Sequence, residues 1–421
     1  MPSSGWTLLS RELEGHYPPG MYVACWNGSG QVDVTRWDVT RVTRRTPGRL
    51  EFEVNPGHGG IQIDVSSSDA RNPVRDFRVW MPGFENAASA FHPTFVGRLK
   101  PARILRFMDW QRTNDSPLVK WDDRPKPGDA RYSTVKGVPL EVIVDLANES
   151  KTDPWLCVPH RADDGYVREF ARLVKARLAA DRTVYVEYSN EVWNWQFGQT
   201  QWAREQGVAR RLGDPEQARF YAERSMEVFR IWEEEIPRHR LVRVLSSQFV
   251  NPWMTEQILG WKDAYRRADA VAVAPYFGYE HGDPKRAAAT RTKSVDALLD
   301  ELAKEVDGPN RELVSRQAAV AKKFGVRLLA YEGGQHLAGF GGAENDPVLA
   351  KLFAQANRHP RMADLYRSHL DNWFSEGGGP YVLLAYVGRP TKWGSWGLLE
   401  YQDQLAADAP KYRAFSEYRK R

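Results

Sequence analysis

A (β/α)8 barrel preceded by a small all-β domain is the fold that this chain of 421 residues predicts. Three observations predict it. Residues 1–70 carry short alternating runs broken by Gly, Asn and Pro, the signature of antiparallel strands. From about residue 71 nearly continuous apolar runs alternate with amphipathic stretches, as a parallel sheet covered by helices requires. No Gly-rich phosphate loop follows any of these runs, which disfavours a doubly wound open sheet.

In the first 70 residues the strands are expected over 21–26, 31–34, 50–54 and 61–65. Turns are expected at Asn27-Gly28-Ser29-Gly30 and across residues 55–60. The barrel is expected over residues 71–400, with strands at 77–81, 102–108, 155–159, 183–188, 241–245, 270–274, 326–331 and 381–386. Between them, Val167, Phe170, Ala171, Val174 and Leu178 recur at helical spacing. Asp214-Pro215-Glu216-Gln217 reads as a helix start, with an Asp cap and a Pro in the first turn. Residues 401–421 read as a polar closing segment. The long polar stretch 109–137 follows the second strand and reads as a wall of a cleft, with Trp110 and Trp121 as sugar contacts.

Hydrophobic content of 42% and charged content of 27% are ordinary for a globular protein, and no apolar run is long enough to span a membrane. The net charge is +5. Arg41, Arg44, Arg45 and Arg49 cluster locally and Arg419-Lys420-Arg421 ends the chain, but no nucleic-acid signature accompanies them, so a solvated surface is the expectation. Cys25 and Cys157 lack any metal or redox spacing and are expected as buried, unpaired small side chains. The first six residues lack signal-peptide character. An extracellular or periplasmic location is expected if a signal peptide has been removed, and a cytoplasmic one otherwise. The chain holds 16 Trp, a supply of flat rings that suits stacking on sugars.

Active sites of such barrels lie at the C-terminal strand ends. The second strand carries Arg106, the third ends in His160 and the fourth in Asn190-Glu191, with Trp193 and Trp195 just beyond. The sixth ends in Tyr276, the seventh in Glu332 followed by two glycines, and the eighth precedes Trp393 and Trp396. Two carboxylates at the C-terminal ends of two strands are what glycoside hydrolysis needs.

This set resembles the clan A glycoside hydrolases, most of all family 5-type and related bacterial barrels, some described as cellulose-binding proteins. In that clan an Asn-Glu pair ends strand four and a Glu ends strand seven. The resemblance spans about residues 74 to 400. It implies Glu191 as acid/base and Glu332 as nucleophile, with Asn190, Arg106, His160, Tyr276, Trp110, Trp193, Trp195, Trp393 and Trp396 around the substrate. The chain departs from it in reading Asn-Glu-Val rather than Asn-Glu-Pro. The expected activity is a retaining endo-β-glycosidase acting on a polysaccharide, cellulose-like or a bacterial exopolysaccharide. The reaction needs no metal or organic cofactor, and the expected partner is the sugar polymer, not nucleic acid or membrane. A non-catalytic carbohydrate-binding barrel, and an exo-glycosidase or transglycosylase with the same two glutamates, stand as alternatives.

Overall fold

The structure is a computed structural model that describes residues 4–35, 37–57 and 59–418. The basic end at 419–421, the first three residues and His58 of the expected second turn lie outside the described residues. The chain divides into two compact units, one of residues 1–94 with 401–404 and one of residues 95–400 with 405–421.

The first unit is antiparallel throughout. Its strands are β1 (Gly5–Leu9), β2 (Gly20–Asn27), β3 (Gly30–Thr35), β4 (Val39–Thr46), β5 (Arg49–Val54), β6 (Ile61–Ser68) and β7 (Arg75–Trp80). They form a sheet of order β1-β6-β3 and another of order β4-β5-β2-β7. Alternation does the sorting: Tyr22, Ala24 and Trp26 of β2 and Leu50, Phe52 and Val54 of β5 point into one core. Gly28 takes a positive φ in the expected turn, where a Cβ would sit 2.0 Å from the Pro73 carbonyl oxygen. The arginine cluster is paired along the sheet: Arg41 with Glu53, Arg45 with Asp33, and Arg49 with Glu51 and Glu85. Cys25 is half-buried rather than buried, within reach of Arg49 Nη1, and both cysteines are free.

The expected first barrel strand is β7 of this unit, which pairs antiparallel with β2. Its sequence, Arg-Asp-Phe-Arg-Val-Trp, mixes charged and apolar residues, and such a strand cannot be buried on both faces. That expectation is corrected.

Among the described residues the second unit holds a parallel sheet of seven strands, β8 (Ile104–Arg106), β9 (Asp153–Val158), β10 (Val184–Tyr188), β11 (Leu241–Ser246), β12 (Ala270–Val273), β13 (Arg327–Ala330) and β14 (Gly378–Tyr381), and a separate short parallel pair, Tyr276–Phe277 with Gly334–Gln335. Spatial order follows chain order from β8 to β14, as in a (β/α)8 barrel, and the sheet curls. Helices such as Asp164–Arg177, Glu216–Glu235 and Arg311–Phe324 cover it. β10, β11 and β12 are buried along their whole length, as their apolar runs predict. Trp155, Tyr185, Val244, Ala272 and Leu329 pack together in the interior.

The last strand is displaced from the expected 381–386 to Gly378–Tyr381, because the backbone of Gly-Gly-Pro-Tyr pairs with β13; of the apolar run after it, Val382 still donates its N–H to the Ala330 carbonyl. The helix Glu216–Glu235 begins as expected, but Pro215 stands at the cap and no side chain caps it. Within 401–421, Pro410–Tyr418 is a helix whose Lys411, Tyr412 and Ala414 are buried, so this segment is more than a polar closure. Among the described residues no helix is long and apolar enough to cross a membrane.

Candidate active site

The interior parity of β10 turns Tyr185 and Glu187 inward, and the chain then leaves the sheet through Ser189, Asn190 and Glu191. Ser189 and Glu191 both take positive φ (61° and 44°), an uncommon conformation for residues with a Cβ and one that aims each side chain off the strand axis. Glu191 is buried. Its Oε1 accepts from the Tyr331 hydroxyl at 2.8 Å and its Oε2 from Asn194 Nδ2 at 2.9 Å.

Glu332 follows β13 and is equally buried. Its Oε1 accepts from the Tyr276 hydroxyl at 3.1 Å and its Oε2 from Arg106 Nη1 at 3.3 Å. The two glycines after it leave room for rings: a Cβ on Gly333 would lie 2.1 Å from the Tyr381 hydroxyl oxygen, and one on Gly334 2.6 Å from that of Tyr366.

Arg106 ties the strand ends together. Besides Glu332 it donates to Asn190 Oδ1 at 2.8 Å and twice to Glu187 Oε2, at 2.9 and 3.1 Å. It lies over the Tyr331 ring at 4.8 Å. Glu187 is fully buried and also accepts from Trp155 Nε1 at 2.9 Å. Asn190 is fixed on its other side, where Nδ2 donates to Asn114 Oδ1 and the backbone carbonyl accepts from Gln199. Asn114 comes from the long stretch 109–137, which thereby reaches the site.

Burial raises both carboxyls, because the charged forms lose water. For Glu332 the charge of Glu191 adds to the burial, while the Arg106 guanidinium and the Tyr276 hydroxyl pull the other way. Two acids that face one another this way titrate as a pair, and between the two steps the pair holds one proton. Burial also pushes the His160 and His336 imidazoles down to about 4, so both are neutral at pH 7.

The expected site residues therefore divide. Arg106, Glu332, Asn190 and Tyr276 share one hydrogen-bonded network, and Glu191 joins it through Tyr331, whose hydroxyl donates to it and whose ring lies under Arg106. Trp396 joins its edge, its ring edge-on to Tyr276 at 5.9 Å. His160 meets Trp202 edge-on and its Nδ1 is buried without a partner, so it stands beside the network rather than in it. Trp110 packs against Phe95 and Phe107. Trp193 lines a small internal cavity with Tyr221 and Met254, and its Nε1 is buried, so that ring faces packing rather than the strand-end network. Trp195 and Trp393 are exposed, at 59% and 60%. Trp121 lies under Arg124 and against Tyr166.

Glu187, Tyr331, Asn194, Asn114 and Gln199 were missed as site residues. Glu187 carried a signal: an acid at an inward position of an otherwise apolar strand has to be paired. Asn114 and Gln199 carried none.

No family model matches the chain, and no curated protein matches it. Solved structures do. The chain is similar to the GH51 arabinofuranosidase from Xanthomonas axonopodis pv. citri, with 13% identity over 81% of this chain and 69% of that one, at a TM-score of 0.53. It is also similar to a 4-O-α-L-rhamnosyl-β-D-glucuronidase from Fusarium oxysporum 12S (10% identity, 77% and 64% covered, TM-score 0.47). A GH5-4 broad specificity endoglucanase from Clostridium acetobutylicum is a third (10%, 79% and 92%, TM-score 0.44). At these identities the likeness is one of fold alone.

Proposed function

We propose that this protein is a retaining glycosidase that cleaves a polysaccharide by double displacement. The observation that carries the reading is the asymmetric support of two buried carboxyls at the ends of β10 and β13. Glu332 has a guanidinium and a phenol on it, whereas Glu191 has a phenol and an amide and no cation in contact. A full positive charge favours the anion more than a neutral donor does. Of the single proton held by the pair, Glu191 therefore keeps it and Glu332 stays ionised.

In this reading the Glu332 carboxylate attacks the anomeric carbon while the bond to the leaving oxygen breaks and Glu191 protonates that oxygen. A water, deprotonated by Glu191, then displaces Glu332 and restores the configuration. Such a reaction calls for carboxyl groups about 5–5.5 Å apart. Asn190 has one N–H of its amide committed to Asn114, and the other is the donor for the sugar 2-hydroxyl. Trp396 beside Tyr276 is the ring on which the cleaved sugar rests.

A polymer substrate, and endo action on it, are supported by the exposed Trp195 and Trp393, which follow β10 and β14 and offer flat faces beyond the cleaved unit. The neighbours named above act on arabinofuranosides, rhamnosyl-glucuronides and glucans, so they do not single out one sugar. Release of reducing ends from a panel of plant and bacterial β-glucans, mannans, xylans and exopolysaccharides tests the reading. The expected result is release from at least one polymer, lost in E332Q; binding without release from any would favour a carbohydrate-binding barrel.

A further inference from the structure

Tyr276 reaches Glu332 from a very short piece of strand. Tyr276–Phe277 pairs in parallel with Gly334–Gln335, two residues on each side, apart from the seven-stranded sheet. A ladder that short fixes little by itself. Further support comes from outside it. Asn310 Nδ2 donates to the Tyr276 carbonyl at 2.9 Å, and the Gly278 N–H donates to Glu305 Oε1 at 2.8 Å. The backbone on either side of Phe277 is thereby held by two side chains of one neighbour.

That neighbour is a junction between two helices. Val295–Glu305 runs into a π-helical turn, Val306–Asn310, and Arg311–Phe324 follows without a gap. In an α-helix, with about 3.6 residues per turn, residues five apart lie on different faces. In a π-turn the i→i+5 bond closes one turn over about that span, which brings Glu305 and Asn310 to the same face. The turn is itself pinned: Ser368 Oγ donates to Asp307 Oδ1 at 2.6 Å, and Asn372 Nδ2 donates to Asp307 Oδ1 at 3.0 Å and to the Val306 carbonyl at 3.2 Å. Asn310 is 4% exposed. Gly278 takes a φ of 87°, and a Cβ on it would lie 3.0 Å from Leu302 Cδ2, so the segment lies close against the first helix.

We propose that Asn310 is a positioning residue for the reaction: through the Tyr276 carbonyl, with Glu305 clasping the chain two residues on, it sets the Tyr276 phenol on Glu332. The step it serves rests on the glycosidase reading; the placement rests on geometry alone. An aimed phenol keeps its hydrogen bond on the carboxylate that has to attack, whereas a loose one leaves that anion to Arg106.

The test reads the Glu332 carboxyl in the full chain without substrate, by infrared difference titration, with the band that is lost in E332Q as its marker. The Tyr276 hydrogen bond favours the ionised form, so N310A should move the Glu332 titration to higher pH by about half a unit or more, and Y276F further in the same direction. In a Y276F background N310A should add nothing. Q317A removes another buried amide, one that donates to the Gln248 and Phe249 carbonyls from the helix next to the turn, and should lower Tm without moving Glu332. Glu191, Arg106, Tyr331, Tyr381 and Asp109 also face Glu332, and none of these variants removes one of them. An unmoved Glu332 in N310A, an undiminished shift in the Y276F background, or an equal shift in Q317A would overturn the proposal. Reducing-end release by the wild type separates the two claims. A wild type that cleaves no polymer sinks the glycosidase reading while the titration still decides the placement; an active wild type with Glu332 unmoved in N310A sinks the placement alone.

Discussion

Tyr331 donates its hydroxyl to Glu191 across 2.8 Å while standing one residue before Glu332. One side chain thus couples the two acids: its backbone places one carboxyl and its phenol holds the other. The phenol itself is buried between two acids and a guanidinium, and its own ionisation is pushed far up by that burial and by both acids.

Y331F should therefore act on the pH profile as well as on rate. The hydroxyl favours the charged form of Glu191, so its removal raises that carboxyl further. In the proposed reaction activity requires the singly protonated pair, falling in acid when both carboxyls are protonated and in base when the last proton leaves Glu191. In Y331F the alkaline limb should move to higher pH, by about one unit, the size of one hydrogen bond to a charged group. A pH–kcat/KM series on both proteins checks it; an unmoved alkaline limb speaks against the coupling.

Substituting the acid/base should split by leaving group. E191A should lose about 10²–10⁴-fold in rate on a polysaccharide, whose leaving oxygen needs a proton. On an aryl glycoside with an acidic phenol the first step needs no such help, and the loss in the burst phase should be small. E332Q should be inactive on both. Stopped-flow release of the phenol separates the two variants.

Glu187 anchors the other side of Arg106 with no exposure to water. Removing one partner of a buried ion pair leaves the other uncompensated, so E187A should lose about 3–5 kcal/mol of stability in urea unfolding. E187Q keeps the volume and an acceptor oxygen and should lose less. A cost within error of zero for E187A would mean that Arg106 relaxes towards Glu332 and Asn190 freely.

Lys411 gives stability a pH dependence of known sign. It is buried and donates to the Ser395 carbonyl at 2.5 Å, in the loop that carries Trp396, and burial pushes its amine down to about 7 from an ordinary 10.5. Between those values the unfolded chain binds more protons than the folded one, so stability from this group rises with pH. K411M lacks that slope. Relative to K411M, the wild type should gain about 2 kcal/mol between pH 7 and pH 9 in paired urea titrations.

Much of this was legible in the sequence because it rested on periodicity. Continuous apolar runs marked β9 to β13, and a strand-end acid after two of them marked Glu191 and Glu332. What escaped lacked a local pattern. β7 has apolar residues enough to pass for a barrel strand, and only its pairing with β2 assigns it to the antiparallel unit. β14 is built on glycines, whose backbone pairs without any side-chain signature. The tryptophans were legible as a population but not one by one. Trp193 and Trp195, two residues apart, differ because Trp193 packs inward and Trp195 projects to solvent, a choice made by tertiary packing. Asn114 meets Asn190 across 76 residues, a contact that no spacing announces.

The assignment of Glu332 as the attacking group is tested most directly by trapping. A panel of 2-deoxy-2-fluoroglycosyl fluorides, incubated with the protein and followed by peptide mass mapping, captures a glycosyl-enzyme where one forms. The account predicts a single adduct, on Glu332, that is absent from E332Q and slowly lost to water. An adduct on Glu191 instead, or full polysaccharide turnover by E332Q, would contradict it.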